Sequence, residues 1–250
     1  MKVIGVIPAR MGSSRFPGKP LAKICGRPMT EHVYRRSALS KTLDDLYVAT
    51  CDTEIFDSVE KFGGKAVMTD TCHERCTDRV GEAIQNIPCD IVVIIQGDEP
   101  LVTPEMIDEA VAPMMADPAI QCINLMADID SDEDFNDPNE VKVVVDRKGD
   151  ALYFSREPIP SVKKGERDFP RYKQVCIMPF SRKFLFTYMS LPPTPLEKIE
   201  SVDMLRILEH GFKVRMIRTA AKTCSVDTME DLHYVEQVMN KDPLFCSHAY

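Results

Sequence analysis

Val3-Ile4-Gly5-Val6-Ile7-Pro8-Ala9-Arg10-Met11-Gly12-Ser13-Ser14-Arg15-Phe16-Pro17-Gly18-Lys19-Pro20-Leu21 is the stretch that decides the fold. Val3–Ile7 is an apolar run too short for the hydrophobic region of a secretion signal. It stops at Pro8 and reads as a buried first strand. The loop that follows holds two glycines, two serines, two arginines and a lysine. In an open parallel sheet, ligands bind at the carboxyl ends of the strands, where this loop lies. Glycines let backbone amides approach oxygen anions closely, and fixed cations add charge. Together they suit a polyphosphate, whose leaving group gains charge as a P–O bond breaks. The loop lacks the Gly-Lys-Ser/Thr of a Walker loop and the G-x-G-x-x-G of a dinucleotide site. A solvated basic turn is the ordinary alternative, disfavoured by three cations within ten residues of an acidic chain.

Outward from this loop, strands and helices alternate. Pro28–Ser40 carries Met29, Val33, Ser37 and Ala38 on one helical face. Asp45–Thr50 reads as a strand, Thr53–Phe62 as a helix ended by Gly63-Gly64, and Lys65–Met68 as a strand. Asp78–Asn86 is helical, and Ile91–Ile95 is an unbroken β-branched run expected to be covered on both faces. Thr103-Pro104-Glu105 opens a helix with a cap, a first-position proline and an early acid. This alternation implies parallel strands joined by right-handed crossovers. The second half is less regular. Gln121–Ile129, Val141–Asp146, Ala151–Ser155, Tyr172–Phe180 and Lys213–Ile217 are expected strands. Arg182–Ser190, Pro195–His210 and a segment beginning near Thr228 are expected helices. Asp130–Glu140 reads as an acidic loop and residues 157–172 as a mobile loop or excursion. The tail Pro243–Tyr250 carries no readable pattern. One α/β domain over 1–250 is the simplest organisation.

The totals narrow the function. Of 250 residues, 44% are hydrophobic, enough for a full core. The net charge of −8 argues against nucleic acid or an anionic membrane as partner. No segment approaches the length needed to cross a bilayer. Nine cysteines, an odd number scattered without a secretion signal, fit reduced thiols in the cytoplasm. Cys72, His73 and Cys76 do not have zinc-site spacing and are read as no metal site. The five histidines form no catalytic cluster, and His73 and His210 read as surface or helix-end residues.

Two further signals carry chemistry. In Gln96-Gly97-Asp98-Glu99-Pro100, a carboxylate follows the end of an apolar strand, where an Asp commonly holds a phosphate-bridging divalent cation. The ordinary alternative is an Asp in a turn. In Ser225-Val226-Asp227-Thr228, Asp227 is either a helix cap or a second metal ligand. Mg²⁺ takes one or two protein carboxylates and leaves the remaining positions to substrate and water. Asp98 and Asp227 meet that need if the fold brings them together.

The N-terminal loop, Gln96–Pro100, Ala151-Leu152-Tyr153-Phe154-Ser155-Arg156, Pro195-Leu196-Glu197-Lys198-Ile199-Glu200 and Val226-Asp227-Thr228 together resemble the 3-deoxy-manno-octulosonate (Kdo) cytidylyltransferases, in order from Lys2 to about Met239. The resemblance implies the nucleotide-diphospho-sugar transferase fold, Rossmann-like, with a mixed, mostly parallel sheet flanked by helices. It implies a cytoplasmic homodimer of lipopolysaccharide biosynthesis that uses CTP, an acidic sugar and Mg²⁺. Ala9, Arg10, Gly12, Ser13 and Lys19 would meet the nucleotide, with Thr77, Arg79 and Gln96 near the cytidine. Lys19, Arg15, Asp98 and Asp227 would act in catalysis, and Asp98 and Asp227 would hold the metal. Arg156, Lys163, Gln174 and Glu200 would line the sugar side.

This chain also departs from the family pattern. Arg75-Cys76-Thr77-Asp78-Arg79 stands where Ser-Gly-Thr, an acid and Arg are usual. Ser161-Val162-Lys163 replaces an aromatic and an Arg, and a Lys cannot copy an Arg fork. Gln174, Cys176, Met178 and Phe180 replace a His followed by Gly and aromatics. Transfer of CMP to a different acid, such as an amino-substituted or phosphonate analogue, therefore stays open. So do a sugar-1-phosphate nucleotidyltransferase and a nucleotide-sensing protein.

Overall fold

The computed structural model describes residues 1–12, 16–161, 163–165 and 168–247. Two compact units appear: Met1–Asp108 with Lys222–Tyr250, and Glu109–Ala221.

The first unit opens with β1 (Val3–Ala9), every residue of it buried. A 3₁₀ turn at Lys19–Leu21 and a short hairpin of β2 (Lys23–Ile24) and β3 (Arg27–Pro28) lead into α1 (Met29–Ser37). Then come β4 (Asp45–Thr50), α2 (Thr53–Lys61), β5 (Ala66–Met68), α3 (Cys76–Ala83) and β6 (Ile91–Ile95). β1 pairs in parallel with β4 and β6, and β4 with β5, which gives the order β6-β1-β4-β5. All of β6 is buried, and the absence of a wet face explains why its sequence does not alternate. α3 begins two residues before the expected Asp78, so Cys76 and Thr77 form its first turn. Arg36 interrupts the apolar reading of α1. It is fully buried, donates to the carbonyls of Val102 (2.6 Å) and Leu101 (3.3 Å), and pairs with Asp242 (3.0 Å). α4 (Pro104–Ala116) carries the chain across the boundary into the second unit.

That unit contains β7 (Ile123–Asp128), α5 (Asp132–Asn136), β8 (Lys142–Val145), β9 (Ala151–Ser155), β10 (Tyr172–Val175), β11 (Ile177–Ser181), α6 (Arg182–Ser190), α7 (Pro195–Glu200), α8 (Met204–Glu209) and β12 (Arg215–Arg218). Its sheet runs β12-β7-β10-β8-β9; β12 and β7 are parallel and the remaining pairs antiparallel. The single strand expected over Tyr172–Phe180 is two. β10 stays in the ladder with β7 and β8, and the chain turns at Cys176 so that Phe180 bridges Cys122 instead. The single helix expected over Pro195–His210 is also two, because Ser201 takes a left-handed conformation (φ 54°). The break lets Arg206 fold back on Glu197 in a bidentate pair of 2.6 and 2.8 Å, with both side chains almost wholly buried. The expected acidic loop contains α5, capped by Ser131 accepting from the Asp134 amide at 2.9 Å. Between Ser155 and Tyr172, no helix or strand occurs among the described residues.

The chain returns to the first unit with α9 (Met229–Met239) and α10 (Pro243–Cys246), the latter in the tail that had no readable pattern. Val226, Leu232, Val235 and Met239 pack against Ile24, Met29 and Leu101. Burying each such aliphatic side chain contributes about 1.5–3 kcal/mol. This core seats the Val226-Asp227-Thr228 segment. Among the described residues, no helix is long and apolar enough to cross a membrane.

Candidate active site

A cavity of about 490 Å³ opens in the first unit, where the carboxyl ends of β1 and β6 meet. Pro8, Ala9, Arg10 and Gly12 from the first loop line it, with Lys19. Gln96, Gly97 and Asp98 enter from the end of β6, and Asp227 from the C-terminal segment. Gly97 is fixed by space: a Cβ there would sit 3.0 Å from the Pro8 carbonyl oxygen and 3.4 Å from Ile7 Cγ2. Gly18 is fixed by conformation. At φ 72° it turns the chain into the 3₁₀ segment that delivers Lys19.

Lys19 is the centre of the arrangement. Its Nζ lies 2.7 Å from Asp98 Oδ2 and 3.0 Å from Asp227 Oδ1. Two carboxylates more than a hundred residues apart therefore converge on one cation. Burial by itself lowers the pKa of the Lys19 ammonium, but Asp98 and then Asp227 outweigh it, and the group is held above the ordinary lysine value.

Asp227 is not the helix cap that its position allows. Thr228 caps α9, accepting from the Asp231 amide at 3.2 Å, while Asp231 Oδ2 accepts from the amides of Thr228 (2.8 Å) and Asp227 (2.9 Å). The neighbouring capping box thus leaves the Asp227 carboxylate to the cavity. The Val226 amide donates to the Asp98 carbonyl at 2.9 Å, tying the two acidic segments together by backbone. Arg10 is exposed and makes no side-chain ion pair with another described residue.

The α3 side of the cavity is formed by His73, Glu74, Arg75, Cys76 and Arg79. Gln96 Nε2 donates to Cys76 Sγ at 3.2 Å. Thr77, expected near the cytidine, is fully buried and is not part of the cavity wall. Arg79 reaches the wall, but its buried guanidinium donates to Thr69 Oγ1 and to the carbonyls of Asp70 and His73. It shapes the loop before α3. Ser13 and Arg15 lie outside the described residues.

The residues expected on the sugar side all lie in the second unit. Glu200 accepts from the Arg156 amide (2.8 Å), Ser155 Oγ (2.9 Å) and Tyr153 OH (3.2 Å). Arg156 donates to the carbonyls of Glu200 (2.7 Å) and Pro138 (2.9 Å). Gln174 donates to Asn124 Oδ1 at 2.5 Å, and Lys163 is exposed. Lys142 is fully buried and spends its three N–H bonds on the carbonyls of Asp137, Glu140 and Arg156.

Sequence reasoning missed His73 as a wall residue and Glu82, which bonds its ring. His73 is in a loop and Glu82 in a helix, so no periodicity links them. Arg36 and Lys142 were missed because a charged residue inside a pattern reads as a solvent-facing position.

Residues 4–222 match the family model described as cytidylyltransferase. The chain is similar to the 3-deoxy-manno-octulosonate cytidylyltransferase of Geobacter metallireducens, 44% identical and covering 96% of this chain and 99% of that protein. The enzyme of the same name from Syntrophobacter fumaroxidans is 46% identical over 97% of this chain and 98% of its own length. Among solved structures, a CMP:2-keto-3-deoxy-manno-octonic acid synthetase complexed with CTP superposes with a TM-score of 0.90 at 40% identity, covering 96% of this chain and 99% of that one.

Proposed function

The chain belongs to the 3-deoxy-manno-octulosonate cytidylyltransferase family, and on that premise we propose that it transfers CMP from CTP to the anomeric hydroxyl of Kdo, releasing pyrophosphate. One observation carries the reading: Asp98 and Asp227 meet at a single cation on the rim of a cationic cavity.

The acceptor oxygen forms a bond to the α-phosphorus of CTP while the bond from that phosphorus to the β-phosphate bridging oxygen breaks. The hydroxyl proton passes to solvent. Such a transfer needs positioning and charge neutralisation more than covalent help. Arg10 and the Gly12 amide offer donors to the phosphate oxygens. Lys19 neutralises charge on the departing pyrophosphate. Gly97, closed against Pro8, keeps Gln96 and Asp98 at fixed positions on the wall.

The donor set suits Mg²⁺. Two hard carboxylate oxygens already share a cation, and this ion needs only one or two protein carboxylates beside substrate and water oxygens. Asp98 and Asp227 are the residues that would hold it. When bound there, Mg²⁺ supplies positive charge to the triphosphate and acidifies the acceptor hydroxyl.

We further read the enzyme as a cytoplasmic homodimer serving lipopolysaccharide biosynthesis. Family membership supports this, and nine cysteines outside any disulfide suit a reducing compartment. Light scattering tests the dimer. Pyrophosphate release from CTP, measured with Kdo and a panel of related 2-keto-3-deoxy acids, with and without Mg²⁺, tests the reaction. Release that is independent of acid and metal overturns it. The panel is warranted because Gln174 and Met178 stand where the family has a His and an aromatic. A substituted acid turning over faster than Kdo identifies that acid as the substrate.

A further inference from the structure

We propose that His73 reads the exocyclic amine of the cytosine base, making it the residue that selects cytidine over uridine nucleotides; the inference rests on the nucleotide site proposed above. His73 lines the cavity, and its Nε2 is hydrogen-bonded to Glu82 Oε2 on α3. Both Glu82 oxygens also accept from the Asp70 amide, at 3.0 and 3.2 Å. A carboxylate that only accepts requires the proton on Nε2, which leaves Nδ1 of the neutral ring as an acceptor.

The ring and its loop are held by hydrogen bonds from α3. Glu82 holds both the Asp70 amide and the imidazole, and Arg79 from the same helix holds the carbonyls of Asp70 and His73. Turning the ring over forfeits the Glu82 bond. Arg10 and Lys19 supply the cavity's phosphate chemistry, while His73, Cys76 and Gln96 supply polar groups suited to a base. Cytosine offers an amine donor at position 4, where uracil offers a carbonyl oxygen. The amine satisfies Nδ1; the carbonyl sets one acceptor against another. Sites built around one hydrogen bond discriminate strongly, because the wrong ligand leaves a desolvated group unpaired.

The test is calorimetric titration of the full chain with CTP and with UTP in the presence of a chelator, so that neither metal nor sugar is needed. The wild type should bind CTP at least tenfold more tightly than UTP. His73→Ala should bring the two within about threefold by weakening CTP while leaving UTP unchanged. Glu82→Gln, whose amide can donate to Nε2 and move the proton to Nδ1, should narrow or reverse the preference. Should His73→Ala unfold, His73→Phe keeps a flat ring without the acceptor. A CTP-to-UTP ratio unchanged in a folded His73 variant, or equal binding by the wild type, overturns the inference and leaves the nucleotide site standing. Binding of neither nucleotide by folded wild type overturns the site itself, and the inference with it.

Discussion

In the first unit, the charged side chains of the motifs converge on a cavity; in the second, the charged side chains of equally clear motifs converge on each other. Lys19, Asp98 and Asp227 line a space large enough for a ligand. Glu197 and Arg206 form a buried bidentate pair, Arg156 and Glu200 share two bonds with each other and make three more to Tyr153, Ser155 and Pro138, and Lys142 is enclosed by carbonyls. A charged motif therefore marks chemistry where its side chains line open space, even when, like Lys19, Asp98 and Asp227, they also pair with each other. Where they are enclosed by protein, as at Arg206 and Lys142, it marks architecture. The difference predicts which property each substitution disturbs.

The largest effect belongs to the cavity. Asp98→Asn should lower turnover by about 10³-fold or more, since it removes a carboxylate from the point where transition-state charge is met. Its thermal midpoint should stay near that of the wild type. A variant that unfolds, or that turns over normally, breaks the comparison. Lys19→Met should follow, with kcat reduced by about 10²–10³-fold in a pre-steady-state pyrophosphate assay.

In the second unit the readout is stability. Glu197→Ala strands the buried Arg206 guanidinium and should cost about 3–5 kcal/mol in urea unfolding. A cost below about 1 kcal/mol, the range of surface pairs, would contradict burial of the pair. The smallest effect is the acid limb of stability. Burial raises the carboxyl pKa values of Asp108 and Asp150, but Ser40 and Thr42 at Asp108, and Lys213 and Arg215 at Asp150, outweigh it, and both lie below the ordinary 3.8. The unfolded chain then binds these protons more tightly. The stability they contribute is present above pH about 3.8 and is lost as pH falls through the lower folded values. Asp108→Asn and Asp150→Asn should flatten that limb in unfolding curves taken at stepped pH.

The same contrast shows what could be read from sequence. The parallel half was readable because burial on both faces writes itself as apolar runs, as in Ile91–Ile95, and because the cationic loop follows directly on β1. Asp98 was readable from its place after a strand. Asp227 was ambiguous until Thr228 and Asp231 were seen to close their own capping box. The breaks at Cys176 and Ser201 escaped detection because neither residue is a Gly or Pro; ladder exchange and the Glu197–Arg206 pair set them. Arg36, Lys142 and the His73–Glu82 contact were hidden for a related reason. Arg36 and Lys142 are held by backbone carbonyls, His73 meets Glu82 from a loop outside the helix, and neither arrangement leaves a periodic trace.

The convergence of Asp98 and Asp227 can be tested directly with Mn²⁺ in place of Mg²⁺, following its binding by electron paramagnetic resonance in the presence of CTP. One shared site predicts that Asp98→Asn and Asp227→Asn each abolish the bound signal, with the double variant no worse than either alone. A full bound signal in either single variant, or losses that add in the double, would mean that these carboxylates do not act on one ion.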